Sequence, residues 1–360
     1  MNKLFTIGAC GNFFQDEKFL NGQVIRSNSI LTELEKALPV ERVCRLSYHT
    51  WKKRPFHLLH NFVKLMRNSE RIILFPDLRA IHVLIPLALI LRKVFGTKVY
   101  YNVIGGWISE YVEGRPDRAK RLGKLDGIFV QTKVLQKVLN SVGVEAVTVF
   151  PNFKYTKVYS LAELPYTAEK PYRLVFMSRI VEKKGVTQMV QRICSINDRH
   201  DTPLFILDIY GSVQQEYKQE FNSLMKDAPE YIRYCGQVDP NKTSSVMVHY
   251  FLHVFPTLYK TEGFPGSVLD AFCGGCPTIA ARWNSFDDVL TDGQDCISFE
   301  LGNWDDFEEK LLWAAEHPEK IADMRETCLQ HAELYSPDKV IQIMLKEFVI
   351  ENSLVKGNVQ

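Results

Sequence analysis

The sequence predicts an α/β protein built from two tandem, Rossmann-like, doubly wound domains, and three observations predict it. Apolar β-like runs alternate with longer amphipathic segments along nearly the whole chain, which is the rhythm of βαβ units around a parallel sheet. That rhythm stops once, at the proline-bearing stretch Pro151 to Tyr172, and then restarts. Charge divides at the same place: residues 1–170 hold 26 Lys+Arg and 14 Asp+Glu, a net of +12, whereas 171–360 hold 18 and 28, a net of −10. A chain of 360 residues also exceeds one comfortable core, so two domains are expected.

In order, "LFTIGAC" reads as a first strand, followed by a loop and a helix over Gln23–Leu38. "RIILF" is a strand and Ala80–Val94 an apolar helix; "KVYYNVI" and "GIFVQ" are strands, then a helix over Lys133–Val142 and the strand "AVTVF". After the pause come "RLVFM", a helix over Val186–Cys194, "LFILDIYG", "IRYCG", "LHVFP", a helix after Pro265, "PTIAA", and helices from Trp304 to Leu334. The expected domains are 1–155 and 171–337, joined by a linker at 156–170, with a C-terminal helix in 338–360 packing back toward the first domain. Sheets of this kind bind ligands at the carboxyl ends of their strands, so the cleft between the domains is the expected ligand site.

Several classes lose their strongest signal. There is no Walker loop, and "IGACGNFF" lacks the G-x-G-x-x-G spacing of a dinucleotide fold. "AIHVLIPLALI" is about half a membrane span and contains His82 and Pro86. The N-terminus becomes polar without a small-residue cleavage site, so it reads as a core strand and not a signal peptide. Eight scattered cysteines point to reduced, buried thiols in a cytoplasmic protein. Cys273 and Cys276 have CxxC spacing, but no second pair accompanies them, so neither a metal nor a redox role is expected. The basic, aromatic segment Trp51–Arg71 fits an anionic membrane surface or an anionic substrate as well as it fits a solvated helix over the core.

Two stretches carry the chemistry. In "MSRIVEKKGVTQMVQ", Arg179, Lys183 and Lys184 gather ahead of a helix N-terminus, where cations are unfavourable. A bound diphosphate would explain them; so would a solvated basic loop with Glu182 as counter-charge. In "KTEGFPGSVLDAFCGGCP", Glu262 lies in a Gly/Pro loop and Asp270 one turn into a helix. Ser267-x-x-Asp270 fits a capping box; alternatively both acids face a ligand, with the N–H groups of Gly263, Phe264 and Gly266 beside them and Pro265 having none to offer.

Across nearly the whole chain the sequence resembles a family-four glycosyltransferase of the GT-B fold, of the type found in bacterial polysaccharide assembly. The resemblance rests on "SRIVEKKG" (Arg-x4-Lys-Gly), on "EGFPGSVLDAFCGGCPTIAA" (paired acids and a G-x-PVIA-like run), on the Pro-Asn of "VTVFPNF", and on the glycine loop "NGQVIRSN". It implies a retaining, metal-independent sugar transfer from a nucleotide sugar, UDP or GDP sugar, to a hydroxyl of a saccharide or lipid-linked saccharide, with no cofactor. Arg179 and Lys184 would hold the donor diphosphate, Glu262 the transferred sugar and Asp270 the ribose. Asn21 and Gly22 would approach the phosphate, and Gly105 the sugar; the first domain would take the acceptor. The protein would sit in the cytoplasm or peripherally on the inner face of the membrane, with no nucleic-acid partner. Two positions depart from the family: Asp270 stands where a second Glu is usual, and Gly105-Gly106 where many relatives carry a His. Two other classes stay open: a non-catalytic glycosyltransferase-like subunit that binds saccharide or partner enzymes, and a nucleotide-sugar-processing or NAD-dependent enzyme on a similar sheet.

Overall fold

The structure, a computed structural model, describes residues 3–13, 22–49 and 54–348. The chain divides into two compact units, the first comprising residues up to Phe153 together with those from Pro337, the second Lys154–Ser336.

The first unit holds a six-stranded, all-parallel sheet of β1 (Phe5–Gly11), β2 (Val43–Ser47), β3 (Ser69–Leu74), β4 (Lys98–Asn102), β5 (Gly127–Val130) and β6 (Val147–Val149), in the order β2-β1-β3-β4-β5-β6. Every residue of β5 is buried, as a strand covered on both faces requires. Helices α1 (Gly22–Ala37), α2 (Pro55–Asn68), α3 (Ile81–Phe95), α4 (Ile108–Val112), α5 (Pro116–Leu122) and α6 (Lys133–Ser141) fill the crossovers. Local chemistry sets their ends. Pro55 opens α2, where its missing N–H costs nothing, and the Thr132 hydroxyl caps α6 by accepting from the Leu135 N–H. The chain returns to this unit at its end. There Phe348, just past the last helix, sets its ring 4.7 Å from Tyr100 and 5.8 Å from Phe129, and Glu347 accepts from the Thr148 hydroxyl at 3.0 Å.

The second unit repeats the plan with β7 (Tyr172–Met177), β8 (Phe205–Tyr210), β9 (Ile232–Gly236), β10 (Leu252–Phe255), β11 (Thr278–Ala281) and β12 (Cys296–Phe299), all parallel, in the order β12-β11-β10-β7-β8-β9. Helices α7 (Val186–Asn197), α8 (Lys218–Lys226), α9 (Thr243–Met247), α10 (Gly266–Cys273), α11 (Trp304–Glu316) and α12 (Pro318–Leu334) flank it, and α13 (Pro337–Glu347) belongs to the first unit. From β7 the chain winds outward through β8 and β9, then comes back to pair β10 on the other side of β7. The direction of winding therefore reverses between β7 and β10, and the crevice beyond their carboxyl ends is where such sheets bind ligands.

Two strands escape the sequence reading, β2 and β12, and both are sheet edges. "VCRLS" leaves Arg45 exposed and only Val43 fully buried, and in "CISF", though all four residues are buried, Ser298 interrupts the apolar run that marks a central strand.

Candidate functional site

The loops after β7 and β10 meet at the reversal point of the second sheet. The first loop is held by Gly211. Its φ is +144°, and a Cβ there would lie 1.7 Å from the Ser178 carbonyl oxygen, so only glycine lets the end of β8 pass this close to Arg179's neighbour. The Ile180 N–H donates to Ser212 O at 2.9 Å, extending the tie. After a single 3-10 turn over Glu182–Lys184, Gly185 takes the left-handed conformation at φ +71° and starts α7. A Cβ at Gly185 would fall 2.4 Å from Pro256 O, at the end of β10. Close approach at this one residue thus brings the two loops together, and the Leu258 N–H donates to Lys183 O at 2.9 Å across them.

That geometry turns Lys184 inward. It is buried, forms an ion pair with Glu262 Oε1, and sets its ammonium 4.9 Å above the Phe255 ring. The same Oε1 accepts from the Thr257 hydroxyl at 3.1 Å, and Thr257 Oγ1 in turn accepts the Tyr259 N–H at 3.2 Å. The carboxylate is therefore fixed from two sides, while its side chain keeps 17% exposure. Arg179 is exposed and near enough to Tyr259 that its charge opposes the upward push which burial gives the phenol pKa. Below Lys184, burial and that ammonium together drive the His253 pKa down to about 3, so the imidazole is neutral. The α7 N-terminus has neither a side-chain cap nor an acid in its first turn. A buried ammonium, an exposed guanidinium and an uncapped helix start suit a diphosphate; a clamped carboxylate suits hydroxyl groups.

Asp270 has other partners. The capping-box reading fails, because α10 starts at Gly266 with Pro265 as N-cap and no side-chain cap, leaving Asp270 in its fifth position. Its Oδ2 accepts from Lys154 Nζ at 2.5 Å and its Oδ1 from the Thr243 hydroxyl at 2.6 Å. Burial pushes the carboxyl pKa up, while Lys154 and Thr243 hold against it. Of the loop before α10, Gly263, Phe264 and Pro265 are buried and Gly266 is half-buried; the Phe264 ring stands edge-on to Tyr335 at 4.7 Å, part of the core. Cys273 and Cys276 are free, buried thiols, each pushed up to about 12 by burial, which leaves the CxxC pair inert as a nucleophile. Among the described residues no group of three or more His, Cys, Asp and Glu could hold a metal ion.

In the first unit, Asn21 lies outside the described residues. Gly22 opens α1, exposed, with nothing within 4 Å of a Cβ. Gly105 follows β4, and its N–H donates to Gln131 Oε1 at 3.1 Å. Sequence reasoning brought Lys184 and Glu262 to one place and missed Lys154, Thr243 and Thr257. Thr257 was the findable one, two residues beyond β10 and five before Glu262.

A family comparison covers this same segment. Residues 165–330 match the Glycosyl transferases group 1. The match takes in Arg179, Lys184, Thr257, Glu262 and Asp270, and it runs through most of the second unit. The chain is 28% identical over 158 residues to the UDP-N-acetylglucosamine–peptide N-acetylglucosaminyltransferase GtfA subunit of Streptococcus gordonii, covering 43% of this chain and 30% of that protein. It is 22% identical over 172 residues to an uncharacterized glycosyltransferase of Methanocaldococcus jannaschii, covering 47% and 42% of the two. The chain thus spans less than half the length of these curated relatives. In fold it is similar to HepE of Anabaena, solved with UDP and glucose, at a TM-score of 0.73 and 11% identity over 95% of this chain and 98% of that one. The fold is GT-B, with two tandem Rossmann-like units.

Proposed function

We propose that this chain is a glycosyltransferase that moves a sugar from a nucleoside diphosphate sugar, a UDP or GDP sugar, to a hydroxyl of a saccharide or lipid-linked saccharide, with retention at the anomeric carbon and without a metal ion. The observation that carries the reading is the Lys184–Glu262 pair, clamped by Thr257 at the reversal point of the second sheet. Lys184, Arg179 and the α7 N-terminus hold the diphosphate and stabilise its charge as the bond from the anomeric carbon to the phosphate oxygen breaks. The acceptor oxygen bonds to that carbon on the same face, and its proton passes to the departing phosphate oxygen, so no separate protein base is required. Glu262 orients the sugar by accepting from its hydroxyls, and the donor is a substrate, with no resident cofactor. Asn21, Gly22 and Gly105 belong to this reading as donor contacts from the first unit, as do the N–H groups of Gly263 and Gly266. The fold similarity to a protein solved with UDP and glucose supports the donor class.

Asp270 favours a second reading. Both its oxygens are occupied by Lys154 and Thr243, so a ribose contact requires Lys154 to yield; a binding subunit without turnover has no such requirement. One experiment separates the two: the purified protein is given a panel of UDP and GDP sugars, and release of free nucleoside diphosphate is followed with and without saccharide acceptors. Turnover with one donor, lost in Glu262→Gln, is expected. Absence of turnover with every donor would sink the transfer reading, and no nucleotide binding at all would favour the subunit.

A further inference from the structure

We propose that the outward faces of α2 and α3 form a docking surface for an anionic lipid bilayer. Six of the fourteen large apolar side chains exposed among the described residues fall in one short stretch of the chain: Phe56, Leu59, Leu78, Val83, Ile90 and Val94. Phe56 and Leu59 stand three apart on α2; Val83, Ile90 and Val94, at i, i+7 and i+11, share one side of α3. The two helices pack on each other, so the stripes are neighbours, and Phe56 is 86% and Val94 69% exposed. Soluble surfaces scatter such residues singly; grouped, they mark an interaction site.

Charge selects the occupant. Neither helix contains a carboxylate. Lys64 and Arg67 on α2 and Lys93 on α3 are exposed and make no ion pair among the described residues, and Arg79 lies exposed between the helices. The adjoining acids are already engaged: Glu70 pairs with Arg71, Asp77 accepts the N–H groups of Arg79 and Ala80, and Asp126 pairs with Arg92 of α3 at 2.9 Å. Apolar side chains beside unpaired cations, on helices that carry no acid of their own, match an interface of acyl chains and anionic headgroups. A second copy of this chain would meet the same unpaired cations. No helix among the described residues is long and apolar enough to cross a membrane, so the helices would lie on the bilayer and not span it.

The inference rests on the proposed function only in that a lipid-linked acceptor gives the surface a use, and its test needs neither donor nor acceptor. The full chain is co-sedimented with vesicles of phosphatidylcholine alone or with about one third phosphatidylglycerol, at low and at 0.5 M salt, and its mass is measured in solution. Binding to the anionic vesicles at least tenfold tighter than to the neutral ones, weakened by salt, is expected. It should fall at least tenfold in Phe56→Ser/Ile90→Ser and, separately, in Lys64→Glu/Arg67→Glu, with melting temperatures unchanged. Wild-type binding that ignores lipid charge, or variants that bind like the wild type, overturn the proposal. So does a dimer that the Phe56/Ile90 variant dissociates while vesicles go unbound. Vesicle binding by a protein that turns over no nucleotide sugar would uphold this surface and sink the transfer reading alone.

Discussion

Methionine in place of Lys184 keeps most of the side chain's length and its packing against Phe255 while deleting the charge that faces Glu262. Two consequences can be sized separately. Breaking a fully buried ion pair by removing one partner costs about 3–5 kcal/mol. Here the carboxylate keeps the Thr257 hydroxyl and part of its exposure, which lowers the expected stability loss to roughly 1–3 kcal/mol. A diphosphate that loses one charge-assisted hydrogen bond loses about 1.5–3 kcal/mol of binding, or roughly 10- to 150-fold in Kd. Urea unfolding reads the first quantity, and calorimetric titration with UDP or GDP, well below the unfolding midpoint, reads the second. Glu262→Gln supplies the contrast: it removes the acid while leaving the ammonium, so nucleotide affinity should stay within a few-fold while turnover is lost. Nucleotide affinity within twofold of wild type in Lys184→Met, alongside a stability loss above 1 kcal/mol, would make Lys184 a strut for Glu262 and refute its role at the diphosphate.

The other expectations concern the supporting groups. Asp270→Asn leaves the Lys154 ammonium, on a side chain only 16% exposed, without its carboxylate; a loss of roughly 2–4 kcal/mol is expected by chemical unfolding, and Lys154→Met combined with it should cost less than the sum of the two single changes. Gly185→Ala forces a left-handed alanine, about 1–2 kcal/mol, and places its Cβ against Pro256 O, so destabilisation above 2 kcal/mol with weakened nucleotide binding is expected; a neutral result would mean the two loops are not in contact. His253 gives a pH signature. Its folded pKa, about 3, lies below the ordinary 6.5, so between those values the unfolded chain binds a proton that the folded chain does not. This contribution is complete above pH 6.5 and shrinks as pH falls, by about 2 kcal/mol at pH 5, and His253→Leu should flatten the difference between unfolding midpoints at pH 7 and pH 5.

The central strands were legible because burial on both faces leaves a continuous apolar run: "RLVFM", "LFILDIYG" and "GIFVQ" fall on β7, β8 and β5 to within a residue or two. The edge strands β2 and β12 were not: β2 is half-exposed, and in β12 Ser298 breaks the apolar run although all four residues are buried. In the candidate site, Glu262 and Lys184 announced themselves as charges in glycine-bearing loops. Thr257 did not, because a threonine beyond a strand is common and its role depends on which carboxylate it meets. Asp270 looked equally like a helix cap, and the distinction lay in a lysine 116 residues away.

The sequence by itself determined the two parallel sheets, the break between them and the pairing of cation loop with acid loop, because periodicity and glycine placement are local properties that survive without neighbours. Only the tertiary structure decided that Lys184 is buried against Glu262, that Asp270 is spent on Lys154 and Thr243, and that the apolar side chains of α2 and α3 face outward. Each of those depends on which distant group fills the space beside a side chain, and that is fixed by packing order in the sheet and not by distance along the chain.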